Sequence, residues 1–346
     1  MFYTTEEYMK LRYERFGRQY AHNATTKAEH EAWYEVVSSR LSEVIGLTRC
    51  LPVDPNPTLL ESVRFDANEH GGGFVREKWL IETEPTVFMP FYLLVPDAPN
   101  GAAMINPHGH GGGKDLYLGF SSSDGSLSGR PESFGVMLAR NGYHVAAPDA
   151  RGAGERREKG QQKDGMEGAT SHREMLNAEI CLGITPLGGM VWDIMRLVDF
   201  LSVRDGIDPC RIGCAGMSGG GMQTIYAAAL DRRIALAITS GYFYGFRDAL
   251  MLQPANCGCN FAPYLYETVD MGDIGAMIAP RPFFIESGTN DHLNGASGIE
   301  NVLSQVSIAR VAYGIFGAEE KLLHSVHGGI HEWVGDGMLD FIKNNL

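Results

Sequence analysis

No stretch of this chain approaches the roughly 18 consecutive apolar residues that a membrane helix needs, so no membrane partner is expected. Cysteine is sparse: Cys50, Cys181, Cys210, Cys214, Cys257 and Cys259 are six in 346 residues, with no C-x-x-C pair. That rules out a disulfide-built scaffold and points to reduced, mostly buried thiols in a cytoplasmic protein. Cys257-x-Cys259 keeps two lesser readings open, a ligand pair and a strained disulfide. Positive charge is also short, 29 Lys and Arg against 42 Asp and Glu for a net −13, which excludes a nucleic-acid partner or an anionic membrane surface. Met1-Phe2-Tyr3-Thr4-Thr5-Glu6-Glu7 has neither the basic start nor the apolar core of a signal peptide. Internal repeats and low-complexity tracts are missing too, which excludes solenoids and arrays.

What is present is an ordinary globular composition whose organisation changes along the chain. Residues 1–60 read as a helical extension. Tyr8, Leu11, Tyr13 and Phe16 have rough helical spacing, and Thr26 with Glu29 is a capping box opening a second helix that Gly46 ends. Tyr3, Tyr8, Tyr13, Phe16, Tyr20, Trp33 and Tyr34 give this extension more aromatic surface than a free arm needs. It is expected to pack on the body of the protein or on a second copy in a homo-oligomer. The proline-rich Leu51–Pro57 segment leads to residues 61–346, where 75–83 and 87–95 alternate like two strands around Glu84-Pro85. From Ala102 onward, short apolar runs alternate with helical segments: strands at 103–106, 143–147, 211–216, 234–240, 282–285 and 321–326, helices at 133–141, 191–203, 222–230, 299–313 and 338–346. Strands apolar along their length, separated by helices, imply an α/β fold with a mostly parallel sheet covered on both faces. The segments 152–189 and 242–279 are too long for simple connections and are expected to carry short helices that shape a pocket.

Gly216-Met217-Ser218-Gly219-Gly220 falls where the 211–216 strand stops and a helix begins. A G-x-S-x-G at a strand-to-helix turn is a nucleophile-elbow pattern: the serine takes a strained backbone conformation for which flanking glycines leave room. A serine hydroxyl needs a base, and the base needs a carboxylate to hold its tautomer. Downstream, Phe283 to Gly288 is a strand leading into Thr289-Asn290-Asp291, which makes Asp291 the acid, with Glu286 as the alternative inside the strand. His331 follows the glycines of His327-Gly328-Gly329-Ile330 and is the base, with His327 in reserve. Before the serine, Pro107-His108-Gly109-His110-Gly111-Gly112-Gly113 can bring backbone N–H groups to a developing oxyanion. His110 and Gly219 are the expected donors, flanked by Gly109 and Gly111. A metal reading of His108-x-His110 with His324-x-x-His327-x-x-x-His331 is weaker, because the second set straddles glycines and shares no helix face. No metal or other cofactor is expected. Asp149-Ala150-Arg151 is read as a loop-fixing pair, and Trp192-Asp193 as a packing and capping element at a helix start.

These residues together resemble the acetyl xylan esterase and dienelactone-hydrolase-like branch of the α/β-hydrolase superfamily. The similarity runs through the His108-Gly109 loop, Pro148 to Glu155, Gly188 to Asp193, Asp208 to Gly213 and the elbow. It continues in Cys257-Gly258-Cys259-Asn260, Ala279 to Pro282, Gly288 to Asp291 and Gly328 to Trp333, and so spans about residue 74 to the C-terminus. The resemblance implies an α/β-hydrolase fold and a cofactor-free serine esterase with Ser218, Asp291 and His331 as triad and an oxyanion hole at His108–Gly111. It also implies a small-molecule ester as substrate, with acetyl-like acyl groups on a sugar or other alcohol. The same triad could instead serve a lactone, a thioester or an acyl-peptide bond, and a hydrolase scaffold used only for binding is the non-enzymatic alternative. His292-Leu293-Asn294-Gly295 and Ile330 depart from the branch's usual acid and histidine loops.

Overall fold

The computed structural model describes residues 3–121, 125–127, 133–162, 170–253 and 256–346. It builds one nine-stranded sheet from β1 (Thr58–Phe65), β2 (Phe74–Glu84), β3 (Val87–Pro96), β4 (Ala103–Ile105), β5 (His144–Pro148), β6 (Ile212–Met217), β7 (Leu236–Ser240), β8 (Phe283–Gly288) and β9 (Leu322–His327). Their spatial order is β1-β2-β3-β5-β4-β6-β7-β8-β9. The first three strands form an antiparallel meander, β3 meets β5 antiparallel, and every pairing from β5 through β9 is parallel.

Alternation along the central strands divides the apolar residues between two cores. Ala103 and Ile105 of β4 and Ile212 and Cys214 of β6 face one core, with Ile194 and Leu197 of the helix Pro186–Ser202 and Met222 and Ile225 of the helix Gly219–Leu230. Met104 and Ala215 face the other, with Val136 and Leu138 of the helix Phe134–Arg140 and Phe341 and Ile342 of the helix Met338–Asn345. Both faces are covered, as a parallel sheet requires. Among the described residues no single helix is long and apolar enough to cross a membrane.

The N-terminal segment lies against this body. In the helix Lys27–Val44, Thr26 accepts from Glu29 N and Glu29 reaches back to Thr26 N, completing the capping box. Tyr34, Val37 and Leu41 sink into the first core, and Tyr34 Oη donates to the Ala229 carbonyl over 2.9 Å. The preceding helix, Glu6–Phe16, buries no residue and is held through polar contacts, including Tyr13 Oη to Asp270 at 3.0 Å.

Two elements differ from the sequence expectation. Strand β1 is an edge strand with no buried residue, so it carries no apolar alternation to read. The helix expected from Val191 starts at Pro186: Thr185 Oγ1 caps it by accepting from Gly188 N over 3.1 Å, and Gly188-Gly189 hide its first turn in the sequence. Trp192 and Asp193 therefore lie inside the helix rather than at its start. Trp192 donates to the Thr83 carbonyl at 2.7 Å, and Asp193 receives Arg151 and Arg156. The long segments do carry short helices, His172–Glu179 in the first and Leu265–Thr268 and Met271–Ile278 in the second.

Candidate active site

The chain leaves β4 toward β5 on one side and returns through β6 on the other, so the loops after β4 and β6 face each other at the carboxyl edge. Such a switch point leaves a crevice in a parallel sheet. The elbow occupies it. Ser218 has φ 56° and ψ −123°, a conformation seldom adopted outside glycine. A Cβ on Gly216 would stand 2.4 Å from Gly220 C, and one on Gly220 would stand 2.1 Å from the Pro107 carbonyl oxygen. The two glycines are thus what allows the strand, the helix and the β4 loop to meet around the serine. Ser218 N donates to the Ser240 carbonyl at 2.8 Å, which ties the elbow to β7.

His331 Nδ1 lies 2.7 Å from Asp291 Oδ2. A carboxylate only accepts, so the ring donates from Nδ1 and leaves Nε2 as its basic nitrogen. Asp291 is buried, and its other oxygen accepts from Leu293 N at 2.9 Å, which fixes the carboxylate plane. Ser218 and His331 line the same cavity, and among the described residues the Ser218 hydroxyl has no hydrogen-bond partner. Catalytic hydrogen bonds are often longer in an unliganded site and close around substrate.

The loop after β4 comes down on the elbow. A Cβ on Gly109 would stand 3.4 Å from Ser218 Cβ, and one on Gly219 would stand 3.5 Å from His110 N. Among the described residues neither the His110 nor the Gly219 N–H is spent on a hydrogen bond. Gly109 and Gly111 line the cavity beside them. Buried His108 holds this loop: its Nδ1 faces the Gly109 carbonyl at 2.6 Å, and its Nε2 accepts from Ala150 N at 3.0 Å. Burial pushes its pKa down, so the ring stays neutral in the tautomer those contacts need. The cavity measures about 610 Å³, and its walls include Tyr117, Tyr242, Tyr244, Asn256, Asn260 and His292.

The family model described as the Abhydrolase family matches residues 8–297. The chain belongs to the α/β-hydrolase family. A curated relative from Bacillus subtilis, named "Putative hydrolase YtaP", is 26% identical over 287 residues, covering 80% of this chain and 89% of its own. Among solved structures, a "putative acetyl xylan esterase" from Bacteroides fragilis superposes with a TM-score of 0.77 at 18% identity, covering 94% of this chain and 83% of its own. A glucuronoyl esterase from Solibacter usitatus superposes with a TM-score of 0.66 at 16% identity, covering 95% and 96%.

The other candidates in this α/β-hydrolase are spent elsewhere. Glu286 accepts from Ser240 Oγ, Val334 N and Gly335 N at 2.7, 3.1 and 2.7 Å, so it anchors the segment beyond His331 instead of pairing with it. His327 Nδ1 accepts from Gly329 N at 3.1 Å, and His324 contacts Ser287 Oγ at 3.2 Å. The spacing of His324, His327 and His331 therefore gathers no metal-binding set. Asp149 is the centre of a buried network: it accepts from Lys114 N and Nζ at 2.8 and 2.9 Å and from Glu155 N at 3.0 Å. Burial opposes its charge, but Lys114 overcomes that and holds the carboxyl below its usual range. Arg151 chelates Asp193 at 2.9 and 3.0 Å and pairs with Glu84, fixing the same loop. Tyr242, Tyr244 and Asn256 were not singled out in the sequence; they carry no motif, and their place in the cavity comes from how the long loops fold back, while His292, noted there as a departure in the acid loop, joins them in the cavity wall.

Proposed function

We propose that this hydrolase is a serine carboxylic ester hydrolase in which Ser218, His331 and Asp291 act as a triad. The observation that carries the reading is the strained elbow serine sharing one cavity with a histidine already oriented by a buried carboxylate. His331 Nε2 takes the proton of Ser218 as its oxygen attacks the ester carbonyl. Asp291 keeps the ring in the required tautomer and stabilises the imidazolium that forms. The N–H groups of His110 and Gly219 receive the oxyanion; such a donor contributes roughly 10²–10³ in turnover. The imidazolium then protonates the departing alcohol. Water, deprotonated by His331, releases the acid from the acyl-enzyme.

Esters of small acyl groups with a sugar or other alcohol are the substrate class this reading favours. The esterase names of the structural neighbours support it, as does a cavity walled by Tyr117, Tyr242, Tyr244 and Asn256. The test is hydrolysis of 4-nitrophenyl acetate and of acetylated sugars by the wild type and Ser218→Ala. Loss of about 10⁴-fold or more in kcat is expected for the variant. Equal rates would overturn the assignment.

A further inference from the structure

Beside the cavity, four side chains from three separate parts of the chain converge. His110 comes from the loop after β4, His172 from the first long segment, and Cys257 and Cys259 from the second. One donor atom from each lies within 4.8 Å of every other. His172 Nδ1 is 3.0 Å from Cys257 Sγ, and His110 Nε2 is 3.1 Å from Cys259 Sγ. We propose that His110, His172, Cys257 and Cys259 form a tetrahedral zinc site that ties the loop after β4 to both long segments.

The donor set fits zinc. Two thiolates and two imidazoles in four-coordinate geometry are a standard structural zinc environment. Bonds of about 2.0–2.3 Å place neighbouring donors roughly 3.3–3.8 Å apart, so the two contacting pairs must open by a few tenths of an ångström and no other pair need close by more than about 1.5 Å. Binding Zn²⁺ releases the two thiol protons to solvent, and the resulting centre of one dication, two thiolates and two neutral rings has no net charge. That neutrality suits a site where His172 and Cys259 are buried.

The surroundings are arranged as a ligand cage. His172 Nε2 meets the Arg151 carbonyl at 2.9 Å and can only donate to it, which leaves the Nδ1 lone pair directed at the cluster. Orientation of a ligating ring through its other nitrogen is the usual outer contact of a metal-bound histidine. Gly258 lets the two cysteines settle on the helix His172–Glu179: a Cβ there would stand 3.0 Å from the His172 carbonyl oxygen. Asn260 holds the turn from behind, donating to the Cys257 carbonyl at 3.0 Å while accepting from Tyr242 Oη at 2.6 Å.

With four protein ligands the ion has no open position, so its role is to hold the loop. His110 supplies a ring nitrogen to the metal and, resting on the function proposed above, its backbone N–H to the oxyanion. The test begins with untagged wild-type protein purified without chelator. Metal analysis is expected to find about one zinc per chain, and Co²⁺ substitution to give thiolate-to-cobalt charge transfer with tetrahedral d–d bands. His172→Ala and Cys259→Ser are expected to lose the metal; should either fail to fold, the wild-type stoichiometry and cobalt spectrum still decide. Stripping zinc should lower kcat on 4-nitrophenyl acetate more than about tenfold, reversibly. Ser218→Ala should keep its zinc while losing activity, so failure of the esterase reading leaves the metal result intact. Protein that neither carries nor takes up zinc, or whose intact mass shows a Cys257–Cys259 disulfide in its place, would overturn the site. Zinc that can be removed without affecting kcat would overturn its role in holding the loop.

Discussion

His331 donates from Nδ1 to Asp291 Oδ2 over 2.7 Å, and that one contact separates the two acidic residues that the sequence offers as partners. Asp291→Asn would present an amide to the ring and favour the wrong tautomer. We expect kcat for ester hydrolysis to fall about 10³–10⁴-fold with little change in KM. Steady-state kinetics across a range of ester concentrations checks this, and a loss confined to KM would contradict it.

Glu286→Gln should do the opposite. Its carboxylate accepts from Ser240 Oγ and from the Val334 and Gly335 amides, and a carboxamide leaves one of these donors facing an NH₂. The cost should be about 1–3 kcal/mol in urea denaturation. Folded variant should retain far more activity than Asp291→Asn.

Whether the N-terminal segment is part of the folded unit is open to a single substitution. Arg18 pairs with fully buried Asp273 through two hydrogen bonds of 2.6 and 2.8 Å. Arg18→Ala leaves that carboxylate with only backbone partners. Because Arg18 itself is partly exposed, we expect a loss of roughly 2–3 kcal/mol, not the full value for a buried pair. Denaturant titration provides the check; an unchanged midpoint would contradict it.

Glu179 gives the fold a pH signature. Burial pushes its carboxyl up from 4.5 to about 7; Glu158 and Glu84 add to this and Arg151 opposes it. The folded state then binds the proton more tightly than the unfolded chain, so the stability this group contributes is fully present below 4.5 and is lost as pH rises through about 7. Glu179→Gln removes that loss. Its melting temperature should match the wild type at pH 4 and exceed it at pH 8, whereas a difference independent of pH would contradict the account.

What could be read from the sequence follows from which features impose local rules. The elbow is legible because Gly216 and Gly220 are sterically required, and the β4 glycine loop is legible for a similar reason. Asp291 and His331 are legible because each follows the end of an apolar strand. Strand β1 is not, since an exposed edge has no hydrophobic period, and the start at Pro186 is masked by two helical glycines. The meeting of His110 and His172 with the two cysteines could not be read, because four residues in three distant loops share no spacing. Its traces were Cys257-x-Cys259, read as a candidate ligand pair, and His110 in the weaker His108-x-His110 metal reading.

The central claim is that Ser218 is a nucleophile activated by His331. Reaction with a fluorophosphonate, followed by intact mass and peptide mapping, tests it most directly. The account predicts a single adduct on Ser218, formed rapidly in the wild type, slowed by orders of magnitude in His331→Ala and absent in Ser218→Ala. Inhibition without an adduct on Ser218, or labelling at an equal rate without His331, would contradict it.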